Sequence, residues 1–304
     1  MMNLKAKHLK SLIVDSELGQ VKIDSEGSPI SGVRMVGSEA YAGVPALLQK
    51  VINENDSRAW EKIVRKIDYI YNNIDYSLAG LDNETGFGRE IKSQMRSGKK
   101  LLFEPNLVAP DVISPDTHGE GSGDPVCTQW PFVAALIRWF HDKLDISYHQ
   151  MALGEASTSA FLFSVMGSKI SGKSITTEAV FEGRCGDFYI GWGFFFVRKY
   201  LAERHPVSHK DDPMKGYKVS ISGAFLPPGR AGDRLMIYDL NKVQDPTRGR
   251  TVAVPEGSIY KEITLHKAII GGDPFDARDM GDYPGCILVN VPKLKMHFQD
   301  LITN

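Results

Sequence analysis

Cys286-Ile-Leu-Val-Asn-Val-Pro-Lys-Leu-Lys-Met-His297 is the stretch on which the reading of this chain turns. Ile287 to Val289 with Val291 make an apolar run of the kind found in strands buried on both faces. Pro292 ends it, because proline has no amide to donate to a ladder. If the backbone stays extended past the proline, the period of two sets Lys293, Lys295 and His297 on one face and Leu294 and Met296 on the other. In open α/β sheets ligands bind beyond the carboxyl ends of strands, so two ammoniums and an imidazole there suit a phosphate, a carboxylate or a developing oxyanion. The plainer alternative is three solvated charges leaving a core strand.

Outward from this stretch, the chain alternates strand and helix patterns. Leu12 to Val14, Val21 to Ile23 and Val33 to Val36 are short apolar runs among glycines, which suits an opening strand or hairpin. Asp56 and Ser57 can cap a helix on which Trp60, Ile63, Ile67, Ile70 and Ile74 recur at three- and four-residue intervals. A polar segment, Gly88 to Lys100, predicts a short surface helix, and Leu101 to Phe103 a buried strand. Ala109 to Pro125, rich in Pro, Gly and Asp, is a candidate binding loop. Thr128 can cap the next helix, with Pro131 in its first turn and Phe132, Val133, Leu136, Ile137 and Phe140 as its buried stripe. His149 to Leu153 predicts a strand ending at Gly154-Glu155-Ala156-Ser157. Phe194 to Arg204 is expected to be helical, and Lys218 to Ile221, Leu235 to Tyr238, Thr251 to Val254 and Glu262 to Leu265 to be strands. The alternation predicts a single α/β domain over 1–304, a mainly parallel sheet flanked by helices, with room for a β-rich insertion over about 205–265.

Composition narrows the function classes. A net charge of -1 and a pI near 6.7 leave no overall basic field that would point to nucleic acid. The longest apolar patches, such as Phe161 to Met166, are far too short to span a bilayer, and Leu9 to Val14 is interrupted by Lys10 and Ser11. The default expectation is a cytoplasmic protein. Cys127, Cys185 and Cys286 are odd in number and distant in spacing, which argues against a disulfide framework, a zinc ribbon or an iron-sulfur cluster held by this chain's own cysteines.

Several constellations can carry chemistry. Residues 167–174, Gly-Ser-Lys-Ile-Ser-Gly-Lys-Ser, match the phosphate-binding loop pattern, and Leu235 to Asp239 can serve as the strand ending in a magnesium-binding Asp. Against this, Ile175, Thr176 and Thr177 are poor starters for the helix that must follow. His118 and Glu120, near Asp111, Asp116 and Asp124, match no known coordination spacing. Glu155, at the end of a buried strand, is placed for a general base or a metal ligand, with a helix cap or salt bridge as the structural alternative. His141, His205 and His209 sit among charged neighbours and are most simply surface residues.

Taken together, the segments resemble a known family. Ile287 to His297 is similar to the hallmark of the family catalogued as domain of unknown function 362, a strand running into Pro-Lys-x-Lys-x-His. Leu101-Leu-Phe-Glu-Pro-Asn106 resembles that family's strand followed by Lys-Pro-Asn, Thr128-Gln-Trp-Pro131 its Thr-x-x-Pro segment, and Gly154-Glu155-Ala156-Ser157 its acidic turn. The likeness runs from about residue 100 to the end, with two departures. Glu104 stands where the family usually has lysine, and the chain stops at Asn304, before the Lys-Asn-rich segment that normally follows the histidine. A continuation of the natural protein beyond that point is expected.

The resemblance implies an α/β fold and a redox setting, including a ferredoxin-like partner, but no established reaction and no identified cofactor. The expectation is a cleft gathering Asn106, Thr128, Glu155, Ser157, Lys293, Lys295 and His297 around a small anionic ligand, with Glu155 and His297 in the catalytic roles. A nucleotide-binding protein using 167–174 and a non-catalytic accessory protein of an electron-transfer system are the alternatives.

Overall fold

A computed structural model describes residues 12–16, 19–23, 40–54, 56–106, 128–156, 192–205, 211–213, 235–256 and 259–292. Leu12–Ser16 (β1) and Gly19–Ile23 (β2) pair antiparallel with Leu12 opposite Ile23, the expected opening hairpin. Val44–Glu54 (α1) precedes Ser57–Thr85 (α2), whose cap is the expected Asp56, accepting from the amides of Arg58 and Ala59 at 2.8 and 3.1 Å. Gly86, at φ 68°, ends α2 in the left-handed conformation that glycine enters without steric cost and leads into Phe87–Met95 (α3). All five periodic residues of α2, from Trp60 to Ile74, are buried.

Among the described residues, four strands form a wholly parallel sheet. They are Lys100–Pro105 (β3), Met151–Glu155 (β4), Met236–Asp239 (β5) and Cys286–Val291 (β8), in the spatial order β5-β4-β3-β8. Trp130–Leu144 (α4) follows β3, and Trp192–Arg204 (α5) lies between β4 and β5 in the chain. Phe103 meets Phe140 of α4 edge-on at 5.2 Å, and Phe196 of α5 packs on Trp60 and Trp130, so α2, α4 and α5 cover one face. Gly249–Ala253 (β6) and Glu262–His266 (β7) form a separate antiparallel hairpin, followed by Lys267–Ile270 (α6) and Ala277–Asp282 (α7). Tyr238 points to the face opposite Phe103 by strand alternation and lies 5.5 Å from His266 and 6.2 Å from Tyr283, which places this unit on the second face. The architecture is α/β with helices against a mainly parallel sheet, as the alternation predicts.

Some readings change. Leu235 to Tyr238 is expected among the strands of an insertion, yet β5 joins the parallel sheet, while β6 and β7 form a separate hairpin. Lys218 to Ile221 and Val33 to Val36 lie outside the described residues. The apolar run at 287–289 predicts a strand buried on both faces, but β8 is an edge of the described sheet and Leu288 is 51% exposed. Apolar continuity reports a parallel strand and does not fix its place in the sheet. Cys286 is half-buried with Sγ 3.6 Å from the Ile269 carbonyl, and burial pushes its thiol up to about 11. His141 and His205 are not surface residues: their side chains are 14% and 17% exposed and face one carboxylate, because the ends of α4 and α5 converge.

Candidate functional site

The strand order reverses at β3. The chain builds outward from β3 through β4 to β5, then returns to lay β8 against the free edge of β3. At such a switch point the connections leave toward opposite faces and open a crevice beyond the carboxyl ends, the ordinary ligand position in doubly wound sheets. Register brings Pro105 level with Val291, so Asn106 and Pro292 leave the two strands side by side.

Thr128 closes the base of this crevice. Its hydroxyl accepts from the Asn106 amide at 3.0 Å and donates to the Val291 carbonyl at 2.7 Å, while its own amide donates to the Asn106 carbonyl at 2.8 Å. The side chain is 4% exposed. One hydroxyl therefore ties Asn106, just past β3, to Val291, the last residue of β8. This is also why Thr128 does not cap α4: the cap position belongs to Gln129, without a side-chain bond, and Pro131 lies in the first turn as expected.

Glu155 ends the neighbouring strand. Its carbonyl accepts from the Leu240 amide at 2.9 Å, its backbone pairs with Asp239 of β5, and its carboxylate oxygen Oε2 is closed off from solvent. Extending the β3–β4 register puts Glu155 level with Pro105 and on the α4 face. The structure thus brings Asn106 and Thr128 into direct contact and sets Glu155 one strand away on the same edge. Ser157, Lys293, Lys295 and His297 lie outside the described residues, as do 167–174, His118, Glu120 and His209.

Sequence reasoning passed over one residue at this edge. Glu104, read above only as a departure from a lysine, pairs in register with Asn290 on the β3–β8 boundary. It is half-buried, and that burial raises its carboxyl above the ordinary carboxylate range. A carboxyl whose proton affinity is raised near a strand end is a candidate proton-exchanging group. Its signal in the sequence was an acidic residue directly after three apolar strand residues.

Comparison with protein-family models, with curated proteins and with solved structures finds no match to this chain. Among the described residues, no helix is long and apolar enough to cross a membrane.

Proposed function

We propose that this chain binds a small anionic molecule in the crevice beyond the carboxyl ends of β3, β4 and β8. The observation that carries the reading is the Thr128 clip, which holds the ends of β3 and β8 together where the strand order reverses. Pro292 leaves β8 at that point, and Lys293, Lys295 and His297 are the next charged residues of the chain. In the proposal the two lysines hold the negative charge of a phosphate or carboxylate, Asn106 and Ser157 supply polar side-chain contacts, and Thr128, whose own protons go to Val291 and Asn106, sets the register of the site. Glu155 and His297 exchange protons, with Glu104 as a further acidic group. Membership of the domain of unknown function 362 family belongs to the same proposal, together with a cytoplasmic setting and a ferredoxin-like partner. It rests on Pro292-Lys-Leu-Lys-Met-His297 and the three upstream segments.

A ligand-screen melt of wild type and Lys295→Ala tests this. A phosphorylated or carboxylated compound at about 100 times its Kd raises the wild-type Tm by roughly 4–6 °C and leaves the variant unmoved. Equal protection of both proteins, or protection by no anion, counts against the site.

A further inference from the structure

A second group of chemically active side chains lies at the opposite edge of the sheet. The last turn of α4, the residue following α5 and the 3-10 turn Tyr148–Gln150 that leads into β4 meet there. His141, Asp142 and His205 each offer one ligand atom, and these atoms all lie within 4.8 Å of one another. Nδ1 of His141 is 3.1 Å, and Nε2 of His205 3.2 Å, from the same oxygen, Oδ1 of Asp142. Bonds of about 2.0–2.1 Å around a four-coordinate metal give ligand-to-ligand edges of about 3.3 Å, close to both separations.

We propose that His141, Asp142 and His205 bind a divalent first-row transition metal ion that joins the ends of α4 and α5. The surroundings match what orients metal ligands. Oδ2 of Asp142 accepts from the Tyr71 hydroxyl at 3.1 Å and from Arg138 Nε at 3.0 Å, which turns Oδ1 toward the imidazoles. The far nitrogen of His141, Nε2, is 3.8 Å from Asp211 Oδ2, and Asp211 is itself held by the amides of Tyr148 and His149. A carboxylate behind a ligating imidazole is the common outer shell of metal-bound histidine.

Charge and access agree with this. The carboxyl-terminal ends of two helices carry partial negative charge that favours a cation. Arg138, whose Nε meets Asp142, also meets Asp68 through Nη1, so its charge is shared between two carboxylates. The side chain of Asp142 is 22% exposed, enough for an ion to enter and for water to complete the coordination. Without a metal the same contacts would be two imidazole N–H groups donating to one oxygen, and the experiment must separate the two.

The test uses the full chain without a polyhistidine tag, stripped with EDTA and titrated with Zn²⁺, Co²⁺ and, under anaerobic conditions, Fe²⁺. A two-histidine, one-carboxylate set suits zinc and ferrous iron alike, so one-to-one binding of either supports the site. Wild type is expected to bind one equivalent, with d–d absorption from the Co²⁺ form and a Tm rise that EDTA reverses. His205→Gln loses stoichiometric binding, and Tyr71→Phe, which removes only an orienting hydroxyl, binds about tenfold more weakly. Absence of one-to-one binding in wild type, or wild-type affinity in His205→Gln, overturns the proposal. Should His205→Gln fail to fold, Tyr71→Phe decides by the same criterion.

Discussion

His266 is 1% exposed and caps α6, its Nδ1 accepting from the Ala268 amide at 3.0 Å. Tyr238 and Tyr283 flank the ring, and Arg248 and Lys267 are the charges nearest to it. Burial first, then those two cations, lower its pKa from 6.5 to about 4. Because the folded value lies below the unfolded one, the neutral ring contributes stability that is whole above pH 6.5 and is lost as pH falls toward 4. The loss reaches up to about 3 kcal/mol. His266→Asn keeps a capping acceptor and removes the titration, so urea denaturation across this range should give a steeper acid decline in wild type than in the variant. Parallel declines would contradict the assignment. No periodicity in the sequence marks the buried state of His266, since the Tyr238 and Tyr283 rings beside it come from other elements of the chain.

At the scale of elements, local pattern was a good guide where one face is strongly apolar. Trp60 to Ile74 foretold α2, and Asp56 its first turn, because capping and helical spacing are local properties. Neighbours in space were less legible. Thr128 carries the signature of a cap, yet its hydroxyl serves β3 and β8 instead, a partnership between residues 163 positions apart. Thr128→Val keeps the shape and withdraws that hydroxyl from both the Asn106 amide and the Val291 carbonyl, at a cost of roughly 2–3 kcal/mol. Thr128→Ser keeps the hydroxyl and loses a methyl group, for about 1 kcal/mol. Denaturant midpoints check the order, and a valine variant as stable as wild type would mean that the clip contributes nothing to the β3–β8 junction.

For the molecule as a whole, alternation of strand and helix patterns announced a parallel sheet, but strand order is set by long-range pairing and had to be seen. The order β5-β4-β3-β8 creates the switch point, and neither the apolar run at 287–289 nor the Pro-Lys-x-Lys-x-His pattern specifies which strand β8 will join. The histidine cluster was hidden for the same reason: His141 lies in the last turn of α4 and His205 just past the end of α5, two helices that run down the same face of the sheet and end together. The two edges then divide the chemistry, with the proposed anion crevice at the carboxyl ends and the proposed metal site at the amino ends. The most direct test of the crevice is an amide-resolved NMR titration of the full chain with inorganic phosphate and a panel of phosphorylated and carboxylated compounds. The largest shifts are expected at the amides of Asn106, Thr128, Glu155 and Val291, and they should vanish in Lys295→Ala. Shifts confined to other parts of the molecule, or unchanged in the variant, would contradict an anion site at the β3–β8 switch point.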